Sequence, residues 1–178
     1  MTLSIYGISH GARAGLAQTK YFQLKYGKDR NSPEAVFKES QTAHRLYPHN
    51  YYLCLFAAKL AYNKRFDDKR QLLPDRLNTA AYWCDTGLDL NYHKKQLRHL
   101  KAFLIKEQSI TDAIVYWKGY VKWQFWNPFN HAILVQLYSE AGDFQRAMQS
   151  LAWVKGSEHY TSAKTKLNQA WKKEMTQH

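Results

Sequence analysis

Three cations, Lys95, Arg98 and Lys106, are the residues of this sequence best spaced to do chemistry on a ligand. At about 100° per residue they share one sector of a helix, away from an apolar stripe of Leu97, Leu100 and Leu104. Side chains so placed would hold carboxylates or phosphates through charge-assisted hydrogen bonds. A solvated basic face is the ordinary alternative, because exposed charge on helices is common. A second cluster sets Trp117, Tyr120, Trp123, Phe125 and Trp126 beside Lys118 and Lys122, a combination that could stack bases. Trp123 and Trp126 are the least constrained of these rings, and if exposed they mark a contact patch.

Catalysis finds little support. There is no H-E-x-x-H, no phosphate-cradling glycine loop and no Gly-x-Ser-x-Gly, and His93 and His99 are six apart rather than at the three or four that share a helical face. Asp67-Asp68 reads as a pair of solvated turn acids. Cys54 and Cys84 sit in apolar helical patterns rather than in Cys-x-x-Cys or Cys/His sets, so they read as buried thiols in a reducing compartment. A disulfide between them is geometrically conceivable but not expected there. Neither a metal nor a cofactor is implied.

The global charge favours an acidic partner: 26 Lys+Arg stand against 14 Asp+Glu, a formal +12. The excess is spread along the chain, with 13 basic and 8 acidic residues in 1–89 and 13 and 6 in 90–178, so there is no detached basic tail. Charge alone ranks nucleic acid, anionic lipid and acidic peptide equally. With 45% hydrophobic and 15% aromatic residues the chain is too apolar to be disordered, and its 178 residues suit one domain. Apolar runs are too short to cross a bilayer, and the N-terminus lacks a secretory pattern, so a soluble, cytoplasmic protein is expected.

The elements that must position these residues all read as helices. The spacing predicts helices over Gly11–Tyr26, from Ser32-Pro33-Glu34 to near Tyr47-Pro48, Tyr51–Asn63, about Pro74–Leu90, His93–Lys106, Thr111–Phe125, a pair within 126–153, and Tyr160–Glu174. Ser32 and Asp143 are caps, Pro33 and Pro128 helix starts, and Gly142 a stop. Lys28-Asp29-Arg30-Asn31 is a turn, and the polar stretch 64–75 is an insertion within another. No segment alternates convincingly with period two, so essentially no sheet is expected.

These helices repeat. The sets Val36-Ser40-Ala43, Ala80-Cys84-Gly87, Ala113-Trp117-Tyr120 and Ala147-Leu151-Val154 share one spacing, and their first members are 44, 33 and 34 residues apart. The longer interval is one repeat plus the insertion. Leu97, Leu100 and Leu104 precede Ala113 by the same steps as His131, Leu134 and Tyr138 precede Ala147. Trp117 and Tyr120 thus fall on a buried register, where bulky rings suit hairpin interfaces.

With a repeat near 34 residues, Pro48 five residues after Ala43, and a turn reading LYSEAGDFQRA at 137–147, residues 12–158 resemble the tetratricopeptide repeat (TPR) family. The match is degenerate: Lys101 stands at a usually small site and Tyr92 where proline is frequent. The resemblance implies an all-α, right-handed solenoid of stacked antiparallel hairpins. Four hairpins would occupy about 12–48, 51–91 with insertion 64–75, 94–126 and 128–155, and a helix at 160–174 would cap the array within a single 1–178 domain. It further implies a concave groove lined by first helices, presenting Tyr52, Lys59, Tyr62 and Asn63, then Lys95, Arg98 and Lys106, then Phe129 and Gln136. The expected function is a non-enzymatic scaffold that holds a partner protein, through an acidic peptide segment, by charge and ring contacts. The alternatives are a basic helical-repeat protein that binds RNA or single-stranded DNA, and a soluble accessory domain of a larger polypeptide.

Overall fold

A computed structural model describes residues 2–27 and 33–176. Its described residues form two compact units, Met1–Leu104 and Ile105–His178. Both are helical, and no strand occurs among the described residues. In the first unit lie α1 (Thr2–Tyr26), α2 (Pro33–Leu46), α3 (Tyr51–Asn63), α4 (Pro74–Leu90) and nearly all of α5 (Lys95–Lys106). The second holds α6 (Ile110–Val121), α7 (Pro128–Glu140), α8 (Phe144–Ala152) and α9 (Tyr160–Met175). The expected turn at 28–31 and the Ser32 cap lie outside the described residues.

Chemistry at the helix ends explains most boundaries. Asn50 Oδ1 accepts from Leu53 N at 3.2 Å, Ser109 Oγ from Asp112 N at 3.2 Å, and Asn127 Oδ1 from Phe129 N at 3.1 Å. Asp143 Oδ1 accepts from Arg146 N at 3.0 Å, directly after Gly142 turns the chain with a φ of 74°. Pro74 and Pro128 occupy first turns, where a missing N–H costs nothing. The N-terminal helix is longer than its sequence suggests, starting at Thr2 rather than near Gly11. Gly7 and Gly11 lower helix propensity without preventing a helix. The insertion also has more order than a polar loop: Phe66 and Leu72 form an isolated antiparallel bridge around a turn in which Asp67 Oδ1 accepts from Gln71 N at 2.7 Å.

The repeat register coincides with the core. Eleven of the twelve residues in the four second-helix sets are buried, with Leu151 half-buried, and so are Leu97, Leu100, Leu104, His131, Leu134 and Tyr138. In the first unit Cys54, Ala57, Ala58 and Ala61 make α3 slim enough for α4 to lay Ala80, Trp83 and Cys84 against it, with Leu97, Leu100 and Leu104 of α5 closing the cluster. Both cysteines are buried and free, and burial pushes each thiol up to about 12. Cys84 Sγ donates to Leu97 O at 3.3 Å.

His44 meets the edge of Trp83 at 5.5 Å, and its Nδ1 is buried without a hydrogen-bond partner. Burial holds this imidazole below its ordinary value, and the charge of His49 adds to the effect. A group harder to protonate folded than unfolded stabilises the fold above the unfolded value, near pH 6.5, and that stability is lost as the pH falls through the folded one. The urea midpoint should therefore drop between pH 7.5 and 5.5, and His44→Phe should reduce the drop. An equal drop in both proteins would reject this role.

Candidate functional site

The first unit offers an aromatic platform under a cation. The Asn50 cap starts α3 so that Tyr51 and Tyr52 fall in its first turn, where their rings stack at 4.2 Å and 29°. Lys94, one residue before α5, holds its Nζ 5.1 Å from the Tyr51 ring centre and 4.9 Å from that of Tyr52. A hydrogen bond with Tyr52 is the main cause that raises the Tyr51 hydroxyl above its ordinary value. Tyr52 is 50% exposed, so the platform is reachable. Lys59 and Asn63 are also exposed on α3.

Arg98 has a different role from the one its spacing suggests. It is only 6% exposed, its guanidinium carbon lies 3.4 Å from the Tyr92 ring centre, and its Nε donates to Tyr92 O at 2.8 Å. Arg98 thus clamps the turn that carries Lys94. The structure brings Tyr52 to a cation of this segment, and that cation is Lys94, which sequence reasoning missed. The signal was Tyr92, whose ring at the head of α5 gives Arg98 something to stack on. Lys95 is half-buried beside it. Tyr62 is covered by Arg65 of the insertion, its guanidinium carbon 3.9 Å from the ring centre and its Nη1 donating to Tyr62 O at 3.0 Å.

In the second unit the expected residues are engaged within the chain. Lys106 pairs with Glu140 at 2.7 Å, Gln136 Nε2 donates to the other Glu140 oxygen at 2.8 Å, and Lys166 of α9 donates to Gln136 Oε1 at 2.5 Å. Phe129 meets His159 edge-on at 5.4 Å. The last helix therefore packs on α7 and supplies partners to Gln136 directly, burying Ala163 and Leu167 as it does so. Of the aromatic cluster, Trp117 and Tyr120 are buried, whereas Trp123, Phe125 and Trp126 are exposed at 76%, 55% and 66%.

Elsewhere four acids pair with individual cations: Glu39 with Lys20, Glu34 with Arg76, Asp85 with Lys101 and Asp143 with Arg146. Lys20 holds the Glu39 carboxyl below its usual range through a direct hydrogen bond. No group of three His, Cys, Asp or Glu that could hold a metal exists among the described residues, and no helix described is long and apolar enough to cross a membrane. No protein-family model, curated protein or solved structure matches the chain.

Proposed function

We propose that this chain is a degenerate TPR-like solenoid of helical hairpins, a non-enzymatic scaffold that holds an acidic segment of another protein on residues of its first helices. The observation that carries the reading is the half-exposed Tyr51–Tyr52 stack beneath Lys94, with Lys59 exposed on the same helix. Rings supply apolar contact at little entropic cost, and cations on the rim select carboxylates. The burial of eleven of the twelve residues in one small-or-apolar register through four helices supports the repeat reading. Among the groove residues carried over from the resemblance, Tyr52, Lys59 and Lys95 are the ligand contacts in the first unit, with Asn63 exposed at the far end of α3. Arg98 and Tyr62 shape the surface through Tyr92 and Arg65. Lys106, Phe129 and Gln136 act as supports.

The test is capture from nuclease-treated lysate on the immobilised chain, run in parallel with Lys59→Glu/Lys94→Glu. A partner retained by the parent, released by a salt step and weakened at least tenfold in the variant would carry an acidic segment and support the reading. Retention unchanged by the double reversal would reject it. The exposed indoles Trp123 and Trp126 of the second unit favour a second ligand class.

A further inference from the structure

A pocket of about 480 Å³ opens among α6, α7 and α8, wholly within the second unit. Lys118 from α6, Lys122 capping its C-terminus, Phe125 from the turn after it, His131 from α7, Arg146 from α8 and Trp153 at the end of α8 contribute to its lining. Leu134 and Tyr138, both buried, supply apolar surface. No lining residue is a carboxylate. Lys118 and Lys122 are one helical turn apart, both exposed, and neither side chain has an ion-pair partner among the described residues. These two lysines make a patch of uncompensated positive charge.

The ring at the end of α8 is fixed before any ligand arrives. His131 is buried at the start of α7, its Nε2 is 2.5 Å from Phe125 O, and its ring lies parallel to the Trp153 indole at 5.1 Å and 11°. Trp153 nevertheless remains 59% exposed. Phe125 in turn meets Trp126 edge-on at 5.2 Å, and Trp126 and Trp123 extend exposed aromatic surface along the same turn. The pocket therefore couples preorganised aromatic faces to two unpaired lysines, with Arg146, paired with Asp143 at 3.1 Å, beside them.

We infer that this pocket binds single-stranded nucleic acid, a base stacking on Trp153 and Phe125 while neighbouring phosphates contact Lys118, Lys122 and Arg146. The occupant follows from complementarity of both kinds at once. Each nucleotide brings a planar face and an anion, so stacking and charge recur together along a strand. An acidic peptide brings the charge without a planar face at each position, and a duplex hides its base faces in the stack. The site is built wholly from residues of the second unit and does not depend on the Tyr52 platform of the first.

The experiment is fluorescence anisotropy of 5′-labelled twelve-nucleotide oligo(U) and oligo(dT) with the full chain at 50 and 200 mM salt, together with indole quenching. Binding should weaken more than tenfold between the two salts. Lys118→Glu/Lys122→Glu should weaken it at least tenfold and flatten the salt slope. Trp153→Ala should weaken it about five- to hundredfold with the slope preserved, and Trp153→Phe should restore most of it. If Trp153→Ala does not fold, the lysine pair and the phenylalanine variant decide. No anisotropy change with the parent at 50 mM salt would overturn the inference. So would binding indifferent to the lysine reversals, or a Glu-rich dodecapeptide that binds with the same dependence on Trp153.

Discussion

Trp117→Ala is expected to lower stability by about 3–5 kcal/mol, whereas Trp123→Ala, six residues on in the same unit, should change it by less than about 0.5 kcal/mol. Trp117 is fully buried, tilted against Tyr120 at 5.1 Å, and donates from Nε1 to Asn130 O at 2.9 Å. Removing it takes away the largest side chain on the α6 side of this core, together with a hydrogen bond that ties α6 to the start of α7. Asn130 lies at that same joint: it is fully buried, and its Nδ2 donates to Gln124 O at 3.0 Å. Trp123 is 76% exposed and leaves no cavity. Since a domain's total stability is of order 5–15 kcal/mol, the first loss is a large share of it. The urea midpoint of Trp117→Ala should fall by more than about 1 M while that of Trp123→Ala holds. Equal shifts would mean that Trp117 is not the packing centre of this unit.

The same two indoles mark how far the sequence could be read. The helix of Trp117 was legible because Ala113, Trp117 and Tyr120 repeat a spacing found three times elsewhere, and burial follows that spacing since each amphipathic helix must cover its apolar face; its end was misjudged, because α6 stops at Val121 rather than Phe125 and leaves Trp123 in the turn. Helix starts were legible wherever a local signal decides them, a first-turn proline at Pro74 or a capping side chain at Asn127 and Asp143. The first helix was misjudged at its start because three glycines in nine positions weaken propensity, which sets the odds of a helix without setting its limits. The Phe66–Leu72 bridge was hidden because two lone apolar residues in a polar stretch show no period.

The candidate site was less legible than the core, for a physical reason. A helical wheel assigns a direction from the Cα position, yet long cationic side chains bend toward whatever ring or acid lies within reach. Arg98 folded back onto Tyr92, and Lys106 found Glu140. Lys94 lies just before its helix, where wheel reasoning does not extend, yet it reaches the tyrosine pair. His131 was assigned to the core by register, and it is buried, but its stacking on Trp153 needed knowledge of which helix ends adjoin.

Gly87→Val is expected to cost about 1–3 kcal/mol, and Gly87→Ala should also destabilise, although replacing a helical glycine by alanine normally gains about 0.5–1 kcal/mol. A Cβ at this position would lie 2.8 Å from Leu97 Cδ1 and 3.0 Å from Cys54 Cβ. Leu97 is a flexible tip, but it is fully buried and has no vacant space to swing into, and Cys54 Cβ is fixed to the α3 backbone. Relief must come from moving α4 away from α3 and α5, against the bond from Cys84 Sγ to Leu97 O. Gly119 in α6 is the control: a Cβ there meets nothing within 4 Å, so Gly119→Ala should show the ordinary gain. Opposite signs in thermal melts of the two alanine variants would establish Gly87 as the close-approach point of the first unit, and a gain at both would sink the argument. The consequence reaches the surface, because Tyr51 and Tyr52 ride on α3 while Lys94 rides on the head of α5. A side chain at Gly87 presses from α4 on Cys54 of α3 and Leu97 of α5 at once, so Gly87→Val should also disturb the Tyr51–Tyr52–Lys94 arrangement, read as a change in tyrosine near-UV dichroism, even where the chain remains folded.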